Sequence, residues 1–411
     1  MKHKATLYYI ILLTATLLGM WLLPVLTKKL TYKPDNYPFV YYSSLLEELC
    51  LFNYSDKQTP MRDTKGNTYT TAQTDSLLPL LNYRQLMNDN RLPDSIKGVE
   101  INPRIIRLRS FSFRFDPTNI QTPSAGLHIL FESMPQRVGL TMPDDVFRMK
   151  DRIEFIDAES NTSNKEKNDK FQKELEKNNY AFPSQWLAGN PNPRKAYDEG
   201  YFCLDAEGKF FHLKMVNNRP YVRDTRISEK IDVAHFSMLE VPDKRFYGFL
   251  FSKQGDMYII ENEAGDYHTI KLDIPPISLA KDQVIIMGNL LYWTVSVITP
   301  DKKLCYGLDD KTLKRVAEHT IVREPGKWDV VSQWVFPVYL SVESKYSNFL
   351  SPSFHFTGLK GFVINILLAI FAIVIPNAKK RRIFNALYIL VAGAAGLVAL
   401  LLLSGLKNKL N

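Results

Sequence analysis

Cysteine is scarce in this sequence, with three residues in a chain of 411. Their number is odd, their spacing is wide, and no C-x-x-C pair is present, which excludes a thiol pair of the usual metal-binding or redox spacing. A disulfide framework is therefore not expected. We expect three free, half-buried thiols, which belong to Cys50, Cys203 and Cys305.

Sequence motifs of catalysis and nucleotide binding are also missing. The chain contains no H-E-x-x-H, no G-x-S-x-G and no G-x-x-x-x-G-K-[ST], which are the signatures of zinc proteases, α/β-hydrolases and P-loop proteins. Its seven histidines are scattered along the chain. The sequence therefore predicts no cofactor and no metal, and it favours a protein that is not an enzyme.

Acidic residues are absent from both ends of the chain. Residues 1–33 hold five lysines and residues 358–411 hold seven Lys or Arg, without one Asp or Glu. These ends carry 12 of the 52 basic residues, and the remaining 40 are set against 43 acids. The net charge of +9 thus belongs to the apolar ends, which favours membrane flanks over a nucleic-acid groove. No nucleic-acid partner is expected.

Three long apolar runs occupy these ends. Residues 5–26 contain no charge, residues 361–378 contain Asn365 as their one internal amide, and residues 383–406 are uncharged. As helices they are close to or above the length that crosses a hydrocarbon core of about 30 Å. The first run also has the basic start of a signal peptide, but no A-x-A cleavage site follows it. We therefore favour an uncleaved anchor and three transmembrane helices.

The short connection between the last two runs predicts the orientation. Residues 379–382 read KKRR, and basic loops between spans stay on the cytoplasmic side. Residues 1–4 are then cytoplasmic as well, while residues 33–357 and the tail 407–411 lie outside. The sequence predicts a multi-pass protein of the cytoplasmic (inner) membrane with a large periplasmic domain, in contact with the lipid bilayer.

One pattern recurs in this outer domain at an even spacing. The stretches "YFCLDAEGKFFHLKM", "GFLFSKQGDMYIIE" and "SVITPDKKLCYGL" place Gly208, Gly255 and Lys302 at successive intervals of 47 residues. Each stretch reads as strand, turn and strand, and a third strand follows, so each copy is a three-stranded meander. A mainly β repeat of this length is typical of a β-propeller, here with about six blades, or five after insertions. An irregular stack of sheets is the competing fold.

A fourth copy precedes these three and is interrupted. The stretch "RIEFIDAES" matches "GYFCLDAEG", and Asp157 lies 48 residues before Asp205. The second half of that copy is replaced by a polar segment near residues 162–180, which reads as an inserted, mostly exposed helix. Phe171 and Leu175 form its apolar stripe.

Five residues are candidates for ligand or partner contacts. Asp198 and Glu199 are adjacent carboxylates just before a strand, where they can bind a cation or a basic partner, or simply be solvated. His212 takes an inward strand position and is either a ligand or base, or a hydrogen-bonded structural histidine. Asn190 and Arg194 belong to "GNPNPRK", which reads as a rigid exposed loop of the kind that carries contacts.

The last apolar run contains small residues at helical spacing. Ala392 and Gly396 are four apart in "VAGAAGLVA", and small side chains on one helix face let another helix approach closely. This face packs either against another span of the same chain or against a partner membrane protein.

Three stretches together resemble a known family: "DEGYFCLDAEGKFFHLKM", "FPSQWLAGNPNPRKAYDEG" and "NRLPDSIKG". They are similar to bacterial membrane proteins that carry an uncharacterised domain and are typical of anaerobic gut bacteria. The resemblance covers most of the outer domain and supplies no activity and no catalytic residues. It implies an occurrence alongside transporter components of the ABC type.

These observations favour a membrane-anchored extracytoplasmic binding or scaffold protein. We expect it to act as an accessory subunit of a membrane complex, in particular an ABC-type transporter, and so to have a membrane-protein partner. Two alternatives stay open at this point. One is an extracytoplasmic enzyme with its site in a propeller channel, and the other is a sensor that signals through transmembrane contacts.

Overall fold

The computed structural model describes residues 2–32, 37–53, 58–374 and 382–410. It divides into two compact units. Pro38–Val322 is called the β unit, and Met1–Tyr37 together with Arg323–Asn411 is called the terminal unit.

The described helices are α1 (Lys2–Thr31), α2 (Thr71–Leu77), α3 (Tyr83–Asn88), α4 (Pro103–Arg109), α5 (Lys165–Lys177), α6 (Lys327–Val335), α7 (Gly361–Val374) and α8 (Arg382–Leu410). The described strands are β1 (Phe39–Ser43), β2 (Glu48–Phe52), β3 (Met61–Asp63), β4 (Thr68–Tyr69), β5 (Ser95–Ile96), β6 (Val99–Glu100), β7 (Phe111–Phe115), β8 (Asp145–Met149), β9 (Ile153–Asp157), β10 (Trp186–Gly189), β11 (Tyr201–Leu204), β12 (Phe210–Val216), β13 (Arg219–Asp224), β14 (Val233–Met238), β15 (Phe246–Ser252), β16 (Met257–Glu263), β17 (Asp266–Lys271), β18 (Gln283–Gly288), β19 (Tyr292–Ile298), β20 (Lys302–Asp309), β21 (Arg315–Val322), β22 (Val338–Ser341) and β23 (Ser353–Phe356).

The β unit is built from antiparallel sheets, so the expected mainly β fold is confirmed. The first sheet has the order β1-β2-β3-β4, the second β10-β11-β12-β13 and the third β14-β15-β16-β17. The fourth has the order β21-β20-β19-β18-β7, and β8 and β9 form a separate hairpin. Each of the three repeat copies therefore has four consecutive strands rather than three, because a further strand precedes the three that the sequence indicates, and in the fourth sheet β7 adds a fifth strand.

The repeated turn has the same geometry in two copies. Gly208 joins β11 to β12 with φ 82°, and its N–H donates to the carbonyl of Asp205 at 3.1 Å. Gly255 joins β15 to β16 with φ 92°, and its N–H donates to the carbonyl of Ser252 at 3.0 Å. Both turns need a left-handed residue, which glycine supplies without steric cost.

The interrupted copy consists of the hairpin β8–β9 followed by α5. The turn at Asp157 differs from the other two, since the side-chain Oδ1 of Asp157 accepts from the backbone N–H of Ser160 at 2.7 Å, where they use a backbone carbonyl. The chain then enters α5, which the sequence placed near residues 162–180. Phe171 and Leu175 of this helix are buried against the hairpin and the second sheet.

Four apolar clusters join the sheets face to face in a row. They link the hairpin to the second sheet, the second to the third, the third to the fourth, and the fourth to the first. In the last of these contacts the backbone N–H of Tyr42 donates to Oγ1 of Thr294 at 2.8 Å. Among the described residues, none of these clusters joins the hairpin to the first sheet.

In the part of the chain that the structure describes, a closed propeller of five or six blades is not detected. The reason lies in the segment after the first sheet, which forms three short helices instead of further blades. Thr70 and Gln73 make a capping box at α2, and Asn102 caps α4 ahead of Pro103, so local signals favour helix there. β7 then joins the edge of the fourth sheet.

The three cysteines are free and fully buried rather than half-buried. Burial disfavours the charged thiolate, and it raises the pKa of Cys50 to about 12. These thiols fill the apolar interior of the sheets.

The terminal unit contains two helices that are long and apolar enough to span a membrane, Thr6–Thr31 and Arg382–Leu403. The first extends past the predicted end at residue 26, because Thr27 and Thr31 bond back to carbonyls of their own helix. The described part of the middle run, α7, has 14 residues, which reach roughly 21 Å. Of the predicted basic loop at residues 379–382, residues 379–381 lie outside the described residues, and Arg382 begins α8.

Small and polar side chains join the helices of the terminal unit. Gly19 of α1 lies against Ala395 of α8, and the hydroxyls of Thr16 and Tyr388 are 2.6 Å apart. α8 is interrupted at Gly393, whose φ of 58° and ψ of −144° are not helical. The buried amide of Asn365 fills this break and donates to the carbonyl of Leu390 at 3.0 Å.

Candidate functional site

Four of the five predicted contact residues lie in one polar cluster of the β unit. Its centre is Lys195, whose Nζ is 2.6 Å from Oδ1 of Asp198 and 2.6 Å from Oε1 of Glu240. The three side chains are 7%, 3% and 1% exposed. We call these three residues the buried ion triad. It holds two carboxylates around one cation, away from solvent.

Each carboxylate oxygen of the triad accepts at least one hydrogen bond. Glu240 accepts from the side-chain amide of Asn190 and from the backbone N–H of Glu199, both at 2.8 Å. Asp198 accepts from Ser133 at 3.1 Å and from the N–H of Gly200 at 2.9 Å. Burial raises the pKa of Glu240, and the bonds to Lys195 oppose that rise. Buried ions need such complete pairing.

His212 and Glu199 lie next to the triad, but their side chains bind different partners. The Glu199 carboxylate pairs with Lys214 at 2.7 Å. His212 donates from Nε2 to the carbonyl of Glu199 at 2.6 Å and accepts at Nδ1 from the hydroxyl of Tyr267 at 2.7 Å. Burial lowers the pKa of His212 to about 3, so the ring is neutral. Both ring nitrogens are engaged, as in a structural histidine.

Arg194 does not enter the cluster. It is exposed, and its backbone N–H donates to Asn192 at 3.0 Å. Asp198 and Glu199 turn to different cations, as adjacent residues that leave a loop for a strand do. Within the described parts of the chain, no group of three or more His, Cys, Asp or Glu side chains is placed to hold a metal ion.

No sequence motif indicates the partners that complete the cluster, namely Lys195, Glu240, Ser133 and Tyr267. Lys195 is the last residue of "GNPNPRK", the loop that the sequence predicts to carry contacts. Glu240 lies 45 residues further along the chain, in the loop after the first strand of the next sheet. No local pattern connects the two residues, and a buried carboxylate runs against the general tendency of charged side chains to be exposed.

A cleft of about 590 Å³ opens beside the triad. Three strands border it: β7, β10 and β14, each of which is the last strand at one edge of its sheet. Leu187, Gly189 and Pro191 contribute one wall, and Leu239 contributes another. The cleft is therefore formed where the edges of three consecutive sheets converge.

The lining of the cleft carries one cation and no described acid. Arg114 is the charged residue, with a side chain that is 66% exposed and 3.8 Å from Asp116. His235 places Nε2 3.1 Å from Oγ of Ser237. Burial lowers the pKa of His235 to about 4 and also lowers that of His128. Both imidazoles are therefore neutral near pH 7, and the cleft favours anionic or neutral polar ligands.

The triad fixes two walls of the cleft. Asn190 stands between Gly189 and Pro191 of the lining, and Glu240 directly follows Leu239. The hydrogen bond between Asn190 and Glu240 thus ties these two walls together. The cluster acts on the cleft by holding its shape, and its own polar groups are already paired.

The predicted packing face of α8 lies within the terminal unit. Gly396 is buried, and a Cβ built on it would approach Ala392 to 2.7 Å and Tyr388 to 3.4 Å, both on the same helix. The break at Gly393 brings these residues together. Ala395, one position before Gly396, is the residue that lies against α1.

A protein-family model described as "Domain of unknown function (DUF4857)" matches residues 39–308, which make up most of the β unit. No curated protein matches this chain. One solved structure is similar, that of PorZ, an essential bacterial surface component of the type-IX secretion system of Porphyromonas gingivalis. The similarity covers 71% of this chain and 32% of that one, at 10% identity and a TM-score of 0.22. At that TM-score a shared fold is not established.

Proposed function

We propose that this chain, which belongs to the family of the domain of unknown function DUF4857, is a membrane-anchored binding protein. Its β unit is the binding part and lies outside the cytoplasmic membrane. Its terminal unit anchors it and contacts a membrane-protein partner, so that the protein serves as an accessory subunit of a membrane complex. An ABC-type transporter is the complex that the sequence resemblance favours.

The observation that carries this proposal is that apolar helices precede and follow the β unit in the sequence. A helix long and apolar enough to span a membrane stands at each end of the chain, and the β unit is the whole of the sequence between residues 38 and 322. α1 and α8 pack together through Gly19 and Ala395. Small residues at such contacts are typical of helices in lipid.

The proposed topology follows the basic residues. We place residues 379–382 in the cytoplasm and the β unit outside, with α7 in a third, shorter span. The row of stacked sheets is then a propeller-like platform with its edge-lined cleft open to the periplasm. Rigid β platforms of this kind serve binding in many proteins, although that support is an analogy of fold.

A labelling experiment tests the topology. Glu207→Cys lies in an exposed turn of the β unit, and it should react with a membrane-impermeant maleimide in spheroplasts. Lys380→Cys should react only after the membrane is permeabilised. The wild-type chain is the matched control, since its three cysteines are buried. Labelling of position 380 in intact spheroplasts would contradict the orientation.

The accessory role has its own test. The full chain is purified in mild detergent, and copurifying membrane proteins are identified with and without Gly396→Leu. Loss of a partner from a variant that still inserts and folds supports a docking role for α8. Recovery of the wild-type chain alone, under conditions that keep known membrane complexes intact, would contradict the accessory role.

Hydrolysis is a second candidate, because Ser237 and His235 are within hydrogen-bond reach in the cleft. A serine nucleophile needs a neighbouring base that accepts its proton near pH 7. The pKa of His235, about 4, makes it a weak base, and the described contacts give it no orienting carboxylate. A fluorophosphonate probe that labels the wild type and not Ser237→Ala would support hydrolysis over binding alone.

A further inference from the structure

We infer that the cleft between β7, β10 and β14 takes an extended peptide segment that carries a carboxylate, and that the peptide adds to a sheet edge as a further strand. This inference names the ligand class for the binding function proposed above and rests on that function. It follows from three independent features of the cleft: its strand edges, its charge and its dimensions.

The strand edges supply the hydrogen-bonding groups. β7, β10 and β14 each have a partner strand on one side only, so alternate residues direct backbone N–H and C=O groups away from the sheet. Proteins normally cover or blunt such edges, because they pair readily with another chain. Here three of them border one cleft. An extended peptide satisfies these groups in a way that a compact ligand does not.

The charge of the lining selects an acidic peptide. Arg114 is the charged residue among the described lining residues, and the guanidinium binds a carboxylate in a bidentate manner. Its contact with Asp116 is long, at 3.8 Å, and leaves most of the side chain exposed. Ser112 and Asn119 add polar groups to the lining. A basic peptide would meet Arg114 and two neutral imidazoles without a compensating acid.

The dimensions fit a short peptide. The volume of about 590 Å³ lies within the usual range of roughly 300–1,000 Å³ for ligand sites. β10 offers four residues and β14 six, which at about 3.3 Å per residue give an edge of roughly 13–20 Å. The buried ion triad keeps the walls in place before a ligand arrives, so little ordering is required on binding.

Fluorescence polarisation with defined peptide pools tests the inference. The full chain in detergent is titrated against fluorescein-labelled heptapeptide pools that are acetylated and amidated, with Asp, Lys or Ala fixed at the central position. We expect the Asp pool to bind most tightly. Arg114→Ala should weaken its binding about tenfold, or about 1.4 kcal/mol, and Arg219→Ala, an exposed arginine on β13, should not. Equal binding of the Asp pool to Arg114→Ala and wild type would overturn the role of charge.

Backbone pairing is tested separately. Peptides from the binding pool with N-methyl groups on every backbone amide cannot donate to a strand edge, and we expect them to lose binding. Ser112→Trp places a large side chain at an exposed lining position and should abolish binding while the far-UV spectrum stays that of the wild type. Full binding of N-methylated peptides, or no binding by any pool, would overturn the inference.

The two levels of proposal remain distinguishable in these experiments. If no pool binds but the labelling and copurification results stand, the peptide inference fails and the anchored accessory role does not. If peptides bind but position 380 is labelled from outside, the orientation fails and the ligand class does not.

Discussion

The two units of this chain place their apolar residues in opposite ways. In the β unit the large side chains turn inward, and Trp293, Phe115 and Phe251 are fully buried. In the terminal unit they turn outward, with Val391 73% and Leu402 72% exposed. A surface of that kind is suited to lipid rather than to water. The same chain thus contains one unit that buries its large apolar side chains and one that exposes them, as the proposed membrane anchor requires.

Polar groups differ in the same way. The β unit buries complete ion networks, such as the triad around Lys195. In α1, α7 and α8 the hydrogen bonds that the structure shows join neutral groups. Thr14 and Thr16 bond to carbonyls four residues back, at 3.0 and 2.8 Å, and Asn365 donates to a carbonyl of α8. Removing a polar group should therefore be costly in the β unit and nearly neutral in the terminal unit.

The largest effect is expected from Lys195→Met. This change removes the cation that Asp198 and Glu240 share and leaves two buried carboxylates unpaired, so the free energy of unfolding of the β unit should fall by about 3–5 kcal/mol. Urea unfolding followed by tryptophan fluorescence in detergent measures it. Lys209→Met, which breaks an exposed pair with Glu207, is the matched control and should leave the midpoint unchanged. A Lys195→Met chain that unfolds at the wild-type midpoint would show that the buried ion triad does not stabilise the β unit.

The next effect separates backbone strain from crowding in the repeated turn. A Cβ on Gly208 meets no atom within 4 Å, whereas one on Gly255 would be 2.3 Å from the carbonyl oxygen of Ile277. Gly208→Ala should cost about 1–2 kcal/mol through its positive φ alone. Gly255→Ala should cost roughly 1–3 kcal/mol more, because its neighbour has to move. Equal losses in the same unfolding assay would show that crowding at Ile277 has no influence.

Acid should unfold the β unit while the helical signal of the terminal unit persists. Burial holds the pKa values of His212 and His235 at about 3 and about 4, below the value of about 6.5 in an unfolded chain. The folded state therefore binds fewer protons, and stability present above pH 6.5 is lost as the pH falls. Between about pH 6.5 and the folded pKa, the free energy of unfolding falls by about 1.4 kcal/mol per pH unit for each histidine. Glu240 has the opposite effect on stability as the pH falls, because its raised pKa makes the folded state bind more protons than the unfolded state.

The measurement is a series of unfolding curves between pH 7 and pH 5. His235→Gln should lower the slope of the unfolding free energy against pH by the equivalent of about one bound proton, or about 1.4 kcal/mol per pH unit. His268→Gln, at an exposed position, is the control for the substitution itself. The candidate spans contain no Asp, Glu or His, so the far-UV helical signal should be retained at pH 5. An unchanged slope for His235→Gln would contradict the role assigned to that ring.

The smallest effect is expected in the terminal unit. Thr16→Val removes the hydrogen bond to Tyr388 and should cost only about 0.6 kcal/mol, as is usual for polar contacts between helices in lipid. Thr14→Val, whose hydroxyl bonds within its own helix, should cost less. Unfolding in SDS followed by far-UV circular dichroism compares them. A loss from Thr16→Val as large as that from Lys195→Met would break the contrast between the units.

The sequence predicts the features that depend on local chemistry. The even spacing of Gly208 and Gly255 identifies real turns, because a positive φ after a short polar residue has a clear signature. The helix α5 is recognisable from the stripe of Phe171 and Leu175. The mainly β fold and the family resemblance come from the same stretches, and residues 39–308 match the family model.

Other features depend on contacts between distant residues and leave no local trace. Lys195 and Glu240 come from neighbouring sheets, so their pairing is set by how the sheets stack. β10 lies in "WLAG", which has no alternation of polar and apolar residues to mark a strand. The interruption of α8 at Gly393 is hidden in a uniformly apolar run, because it is specified by Asn365 from another helix.

The contact between the first and fourth sheets has a consequence for how the protein is made. Tyr42 and Thr294 are 252 positions apart, so at synthesis rates of about 5–20 residues per second the first sheet waits roughly 10–50 s for its partner. During that time the face that carries Val40, Leu49 and Leu51 has no cover from the fourth sheet. The order of emergence from the ribosome, and not only the final stability, therefore sets a period in which the nascent chain is open to aggregation and depends on being shielded.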